Sequence, residues 1–154
     1  MFHLCGVPLA PGSIVNAGNW GRVVSLHGWR HDQALREAAL ESARLGKYAA
    51  RPSRLTSAFC FPTVAEAKNF RATYAGFAAH ILYEVTLADS TKPQHLVHSY
   101  LCAPQGPYRP HWAELYWEDI VVQDAELKKM GVVLPLLLRE ILTESDLLIG
   151  TVIP

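Results

Sequence analysis

Two carboxylates, Glu114 and Glu118, lie in RPHWAELYWEDIVV (109–122), a stretch rich in aromatic and aliphatic residues. Apolar surroundings screen a charge less than water does, so a carboxylate there acts more strongly on a positive charge nearby. Such a group can stabilise a cation that develops during a reaction. The alternative is that Glu114 simply faces water at the end of an element. The chemical interpretation depends on which other polar groups lie beside it.

Two further polar residues interrupt apolar segments that are candidate strands. His3 lies in FHLC (2–5), and Ser57 lies in the β-prone run RPSRLTSAFCF (51–61). His3 could equally be a hydrogen-bonded edge residue, and Ser57 a small core residue. Together with Glu114 they form the set of residues that could act as one site.

Other catalytic and metal-binding motifs are missing from the sequence. It has no GxSxG elbow, no P-loop and no GxGxxG fingerprint. His27 and His31 are four residues apart, but Gly28 lies between them and the next predicted helix begins later. His95 and His98 lack the i, i+2 spacing that places two side chains on one face of a strand. We therefore expect no metal site.

Composition points to one ordinary globular domain spanning residues 1–154. Half the residues are hydrophobic, and fourteen basic residues balance fourteen acidic ones, so no net field attracts nucleic acid or membrane. The three cysteines are far apart, which argues against a disulfide scaffold. No apolar run approaches the roughly 20 residues that a membrane span needs, and the start lacks a basic leader. These features predict a soluble cytoplasmic protein.

Helices are predicted in the first half of the chain. Strong helix formers fill residues 32–47, with Asp32 as the expected N-cap. A second helix is expected over residues 64–77, where Thr63 and Glu66 have the spacing of a capping box.

Strands dominate the rest, which gives an α+β fold class. Apolar alternation and β-branched residues are the signal for each strand. Strands are predicted in FHLC, RVVSL (22–26), the run 51–61, ILYEVTLA (81–88), HLVHSYL (95–101) and AELYWEDIVV (113–122), the last with a break near Glu118. A short helix and a final strand are expected in 134–154.

The order of these motifs over about residues 1–125 resembles the ADP-ribosyltransferase superfamily, in particular a small bacterial branch. The resemblance consists of the FH strand and the loop PLAPGSIVNAGNWG (8–21), a Ser-bearing strand leading into a helix in RPSRLTSAFCFPTVAEAKNF (51–70), the strand LYEVTL (82–87), and a Glu that starts AELYWEDIVV. It implies split, mostly antiparallel β-sheets that hold NAD, the co-substrate, in a cleft.

The resemblance also implies roles for the three polar residues. Glu114 matches the catalytic carboxylate, which binds the 2′-hydroxyl of the nicotinamide ribose. His3 matches the residue that holds the adenosine ribose, and Ser57 matches the one that supports the nicotinamide side. Thr56 or Phe59 is a rival for the Ser57 position, and Glu118 is a rival for Glu114.

Other residues near these motifs are candidates for binding NAD. Arg51 and Arg54 flank the Ser motif and could pair with the diphosphate, with Arg22 as an alternative. Phe59 and Tyr74 could stack on nicotinamide or adenine.

The implied activity is mono-ADP-ribosyl transfer to a macromolecule, either nucleic acid or protein, as in bacterial toxins, toxin–antitoxin systems and phage-defence proteins. The loop QGPYRPHW (105–112) mixes basic and aromatic residues and is where an acceptor could dock. An antitoxin or other partner protein would be a further ligand. An NAD glycohydrolase and a catalytically inactive binding module are the alternatives.

Overall fold

The computed structural model describes residues 1–31, 33–102, 110–132 and 138–154. The chain folds into two antiparallel sheets with helices, which confirms the predicted α+β class. None of the helices in these ranges is long and apolar enough to cross a membrane.

Within the residues that the structure describes, seven strands form the two sheets. The strands are β1 (Phe2–Cys5), β2 (Ile14–Val15), β3 (Ala58–Cys60), β4 (Ile81–Leu87), β5 (Gln94–His98), β6 (Arg139–Thr143) and β7 (Leu147–Ile153). One sheet has the order β1-β4-β7-β2, and the other has the order β3-β6-β5. A bridge between Phe2 and Phe61 joins the sheets where β1 passes the end of β3, with two backbone hydrogen bonds of 3.0 and 2.7 Å.

The described part of the chain also contains five α-helices. They are α1 (Asn19–His27), α2 (Ala34–Lys47), α3 (Val64–Thr73), α4 (Pro110–Tyr116) and α5 (Ile120–Lys129). The helix α3 begins as predicted, because Thr63 Oγ1 accepts from the Glu66 backbone N–H at 3.2 Å and bonds the Glu66 carboxylate at 2.7 Å. Asp32, the predicted cap of α2, lies outside the described residues.

Three apolar clusters hold these layers together. The first lies between the β3-β6-β5 sheet and helices α2, α4 and α5, and it includes Leu40, Trp117 and Leu142. The second fills the space between the two sheets, with Ile141 and Tyr83 from opposite sides. The third packs α3 on β1 and β4. Strand β6 therefore alternates between two cores, and its even-numbered residues face the helices.

Two predicted strands are helices. RVVSL (22–26) belongs to α1, whose one buried residue is Gly21. This glycine lets α1 lie directly against the backbone of Leu55, a tertiary contact that β-branched valines do not reveal.

The stretch 113–122 forms the end of α4 and the start of α5. Three consecutive residues, Leu115, Tyr116 and Trp117, are all buried, which one face of a strand cannot achieve. The predicted break near Glu118 is present, because α4 ends at Tyr116 and Asp119 precedes α5.

The C-terminal region contains two strands, β6 and β7, and the short helix expected in 134–154 is not found in 138–154. The segments 103–109 and 133–137 lie outside the described residues, and so does most of the predicted loop 105–112.

The three cysteines are free thiols in different surroundings. Cys60 is buried between the sheets, and Cys102 is buried beside the helices, whereas Cys5 is half-buried. Burial raises the pKa of the Cys60 thiol, and that of the Cys102 thiol, to about 12. Both buried thiols therefore stay protonated at neutral pH.

Candidate active site

His3 projects from β1 toward the β3-β6-β5 sheet and is held there by one hydrogen bond. Its Nδ1 lies 2.7 Å from the carbonyl oxygen of Phe59. Burial lowers the pKa of His3, against the effect of that bond, and His80 lowers it further. The ring is therefore neutral at pH 7, and because a carbonyl can only accept, Nδ1 carries the proton. This tautomer leaves Nε2 as an acceptor that no residue in the described ranges occupies.

Ser57 is buried at the end of a tight turn before β3. Its hydroxyl donates to the Ser53 carbonyl at 2.6 Å, and its own carbonyl accepts from the Gly18 N–H at 3.0 Å. The residue thus ties the turn to the start of α1. Its rival Thr56 is exposed and also bonds the Ser53 carbonyl, at 3.4 Å.

An open groove of about 730 Å³ runs between α1 and this turn. It is lined by Ala17, Gly18, Gly21, Arg22, Ser25, Leu26, Leu55 and Thr56. The guanidinium of Arg22 bonds only the side chain of Asn19 among the described residues. An exposed cation without a carboxylate partner can meet an anionic group in the groove.

The other two arginines considered for a diphosphate are already paired. Arg51 bonds Asp119 at 2.6 Å across the surface. Arg54 is buried and makes ion pairs with Glu37 at 2.9 Å and with Glu140 at 3.1 Å. Of the three, Arg22 is the one that the structure leaves open to a ligand.

Glu140, which sequence reasoning missed, is a buried carboxylate on the central strand β6. Its Oε1 accepts from Arg54 Nη1 at 3.1 Å and from the Tyr116 hydroxyl at 3.3 Å. Burial raises the pKa of Tyr116 well above its usual value, so this hydroxyl keeps its proton. Within the described part of the chain no hydrogen bond to Oε2 is found. The sequence feature that could have revealed Glu140 is the run REILT (139–143), in which it is the charged residue on an otherwise apolar face of the strand.

Of the two aromatic candidates, Phe59 lies beside the guanidinium of Arg54, which binds this carboxylate. Phe59 is half-buried on β3, adjacent to β6, and the guanidinium of Arg54 lies 4.8 Å from its ring centre. Burial raises the pKa of Tyr74, and the negative charge of Glu140 acts in the same direction. Phe59 and Arg54 therefore lie with Glu140 on the helix-facing side of the β3-β6-β5 sheet, whereas His3 reaches the backbone carbonyl of Phe59 from β1 of the other sheet.

Glu114 lies apart from this group. It is on α4, not at the start of a strand as predicted, and its carboxylate bonds Lys47 Nζ at 2.6 Å. Both side chains are exposed, 41% for Glu114 and 60% for Lys47. No contact with His3 or Ser57 is found among the described residues. The position predicted for Glu114 is wrong, because the apolar residues around it pack as a helix.

Two neighbouring acidic residues have the same structural role. Glu118 accepts a 2.6 Å hydrogen bond from the Tyr48 hydroxyl, and Asp119 pairs with Arg51. Burial, followed by the Glu118 carboxylate, raises the pKa of Tyr48 to about 12. The acidic residues of 109–122 thus dock the junction of α4 and α5 onto the end of α2.

No group of three or more histidine, cysteine, aspartate or glutamate side chains suited to a metal is found in the ranges that the structure describes. Comparisons with protein-family models and with curated proteins gave no match to this chain.

Proposed function

We propose that this protein is an NAD-dependent mono-ADP-ribosyltransferase, with Glu140 as the carboxylate that acts on the nicotinamide ribose. The observation that carries the proposal is the free Oε2 of Glu140, held on β6 beside the strand that bonds His3. Of the two carboxylates on described strands, Glu84 is exposed, whereas Glu140 is buried among aromatic rings.

Cleavage of the bond between nicotinamide and ribose requires a negative charge next to a transient cation. As the bond between nicotinamide and ribose breaks, nicotinamide leaves with the electron pair, and the ribose acquires oxocarbenium character. A carboxylate that accepts the 2′-hydroxyl stabilises that charge mainly in the transition state, which raises kcat. The acceptor then forms a new bond to the ribose carbon and loses its proton to solvent or to a base.

Other side chains would orient the dinucleotide. The neutral His3 offers Nε2 to a ribose hydroxyl, and Phe59 and Tyr74 offer rings against which nicotinamide or adenine can stack. Arg22 would meet the diphosphate in the groove between α1 and the turn. The acceptor in this proposal is a macromolecule, nucleic acid or protein.

The test is nicotinamide release from NAD by the purified protein. We expect Glu140→Gln, which keeps the side-chain volume and one oxygen, to lower the rate by about a hundredfold or more. Glu84→Gln, a change of charge on an exposed strand position, is the matched control and should keep full activity. Absence of release by the wild type would overturn the proposal.

Glu114→Gln decides between the two carboxylates. Because its ion pair is exposed, the change should cost less than about 1 kcal/mol of stability. Retention of activity in Glu114→Gln together with loss in Glu140→Gln supports the present assignment. The opposite pattern would restore Glu114 as the catalytic residue.

Radiolabelled NAD separates transfer from hydrolysis. Label on RNA, DNA or protein supports transfer to a macromolecule. Free ADP-ribose as the sole product in the presence of all three acceptors would indicate an NAD glycohydrolase.

A further inference from the structure

The side chain of Arg54 contacts both carboxylates of a buried cluster. Its Nε and Nη2 donate to the two oxygens of Glu37 at 2.9 and 3.3 Å, and its Nη1 donates to Glu140 Oε1 at 3.1 Å. The same Nη1 also contacts the Tyr116 hydroxyl. All four side chains are less than 10% exposed.

We infer that Arg54, anchored by Glu37, is a positioning residue that locks one oxygen of Glu140 and thereby presents the other to the nicotinamide ribose. The inference rests on the proposed function. Arg54 itself touches no substrate, because the protein surrounds it.

Glu37 fixes the plane of the guanidinium. Two parallel hydrogen bonds define both the position and the rotation of the group, as a single point contact would not. Burial alone would raise the pKa of Glu37, but the charges of Arg54 and Arg36 hold it below its usual value. Glu37 is therefore ionised at neutral pH and keeps the guanidinium in place.

The aromatic neighbours restrict the remaining motion. The guanidinium carbon lies 4.8 Å from the centre of the Phe59 ring and 5.3 Å from that of Tyr116. Hydrogen bonds to Glu37 and Glu140 and the two aromatic rings together hold the guanidinium in one position and orientation. Glu140 Oε1, which accepts from it, can therefore move little. A lysine would supply the charge but not the fork, so it could not hold both carboxylates in this geometry.

The experiment is steady-state NAD cleavage by Arg54→Lys, with kcat and KM measured separately. Loss of orientation without loss of NAD contacts should lower kcat on the order of tenfold to a hundredfold and leave KM within about twofold. The matched control is Arg44→Lys, because Arg44 makes an equivalent two-bond contact with Glu41 on the same helix, at 2.7 and 3.0 Å. This control should keep its kcat.

Two further variants test the other contacts of Arg54. In Tyr116→Phe one hydroxyl contact is lost while the Arg54 hydrogen bonds to both carboxylates remain, so kcat should fall less than in Arg54→Lys. In Glu37→Gln the guanidinium loses its anchor, and kcat should fall while KM stays close to that of the wild type. Thermal unfolding of each variant is followed by circular dichroism. A Tm above the assay temperature confirms that folded proteins are compared.

The outcomes separate the inference from the proposed function. A wild type that cleaves no NAD overturns both. An active wild type whose kcat survives Arg54→Lys, or falls only as much as in Arg44→Lys, overturns the positioning role alone. A raised KM for NAD in Arg54→Lys would also overturn it, since that result would mean direct contact with the dinucleotide.

Discussion

At residue 3, a single hydrogen bond decides which ring nitrogen can meet a ligand. The Phe59 carbonyl accepts a hydrogen bond from Nδ1–H, so Nε2 can only accept, and a sugar hydroxyl is a suitable donor to it. We expect His3→Ala to raise KM for NAD roughly two- to twelvefold, the range that a net hydrogen bond of about 0.5–1.5 kcal/mol gives, with kcat nearly unchanged. Steady-state kinetics with His27→Ala, an exposed histidine, as control would check this. An unchanged KM would count against the ribose contact.

A half-buried histidine, His3, and a buried one, His95, should also make stability depend on pH. Burial lowers the pKa of His3 and of His95 below the value of 6.5 that a free side chain has. Below pH 6.5 the unfolded chain therefore binds protons that the folded chain does not, so the free energy of unfolding should fall as the pH falls through this window. Above pH 6.5 this contribution is fully present.

Urea unfolding at several pH values between 7.5 and 5 would measure the effect. His95→Gln keeps a hydrogen-bonding group but cannot titrate, so its stability should change less steeply with pH over the same window. Equal slopes in the wild type and in His95→Gln would refute the assignment for that residue.

At the scale of elements, α1 depends on a close backbone contact. A Cβ atom at Gly21 would lie 2.0 Å from the Leu55 carbonyl oxygen, whereas one at Gly46 in α2 would meet nothing within 4 Å. Gly21→Ala should therefore destabilise the protein by about 2 kcal/mol or more, as over-packing does. Gly46→Ala should stabilise it by about 0.5–1 kcal/mol, because alanine favours a helix. Thermal or urea unfolding of the pair checks both signs.

The cap of α3 offers a milder test. Thr63→Ala removes the acceptor of the Glu66 N–H and should cost about 1 kcal/mol. Thr63→Ser keeps the hydroxyl and should recover most of the loss. A similar loss in both variants, measured by urea unfolding, would show that the methyl group matters and not the cap.

Elements with a complete local signal were predictable, and those that depend on tertiary contacts were not. In ILYEVTLA apolar residues alternate as they do along one strand, and Thr63 and Glu66 have the spacing of a capping box. β4 and α3 could therefore be predicted from short stretches of sequence. The stretch 113–122 misleads because its apolar residues are buried on more than one side, against both α2 and β5. RVVSL was wrongly predicted as a strand, because the contact that places α1 is made by Gly21 against the backbone of Leu55, outside that stretch.

At the scale of the molecule, strand order brings distant residues together in a way that no local pattern indicates. β6 lies between β3 and β5, so residue 140 comes beside residues 54 and 59. The sequence predicted His3, Ser57 and Glu114 as one site, with Phe59 as a rival for the Ser57 position, and it did not single out Glu140. The carboxylate at Glu114 was the more visible one, because aromatic residues surround it in the chain.

Central and edge strands should also differ in their rates of hydrogen exchange. β4 and β6 each pair on both sides, whereas β2 has two residues and pairs with β7 alone. Hydrogen exchange should therefore be slowest in β4 and β6 and fast in β2. Mass spectrometry of exchanged peptides measures this, and rapid exchange in β6 would contradict the central position of that strand.

The thiols supply a reporter that needs no engineering. Under native conditions a maleimide dye should modify Cys5 and spare Cys60 and Cys102, which burial keeps protonated and covered. One of the spared groups lies between the sheets and the other beneath the helices. In dilute denaturant, the rate of dye labelling at Cys60 would therefore report separation of the two sheets. The rate at Cys102 would independently report separation of the helices from the sheet.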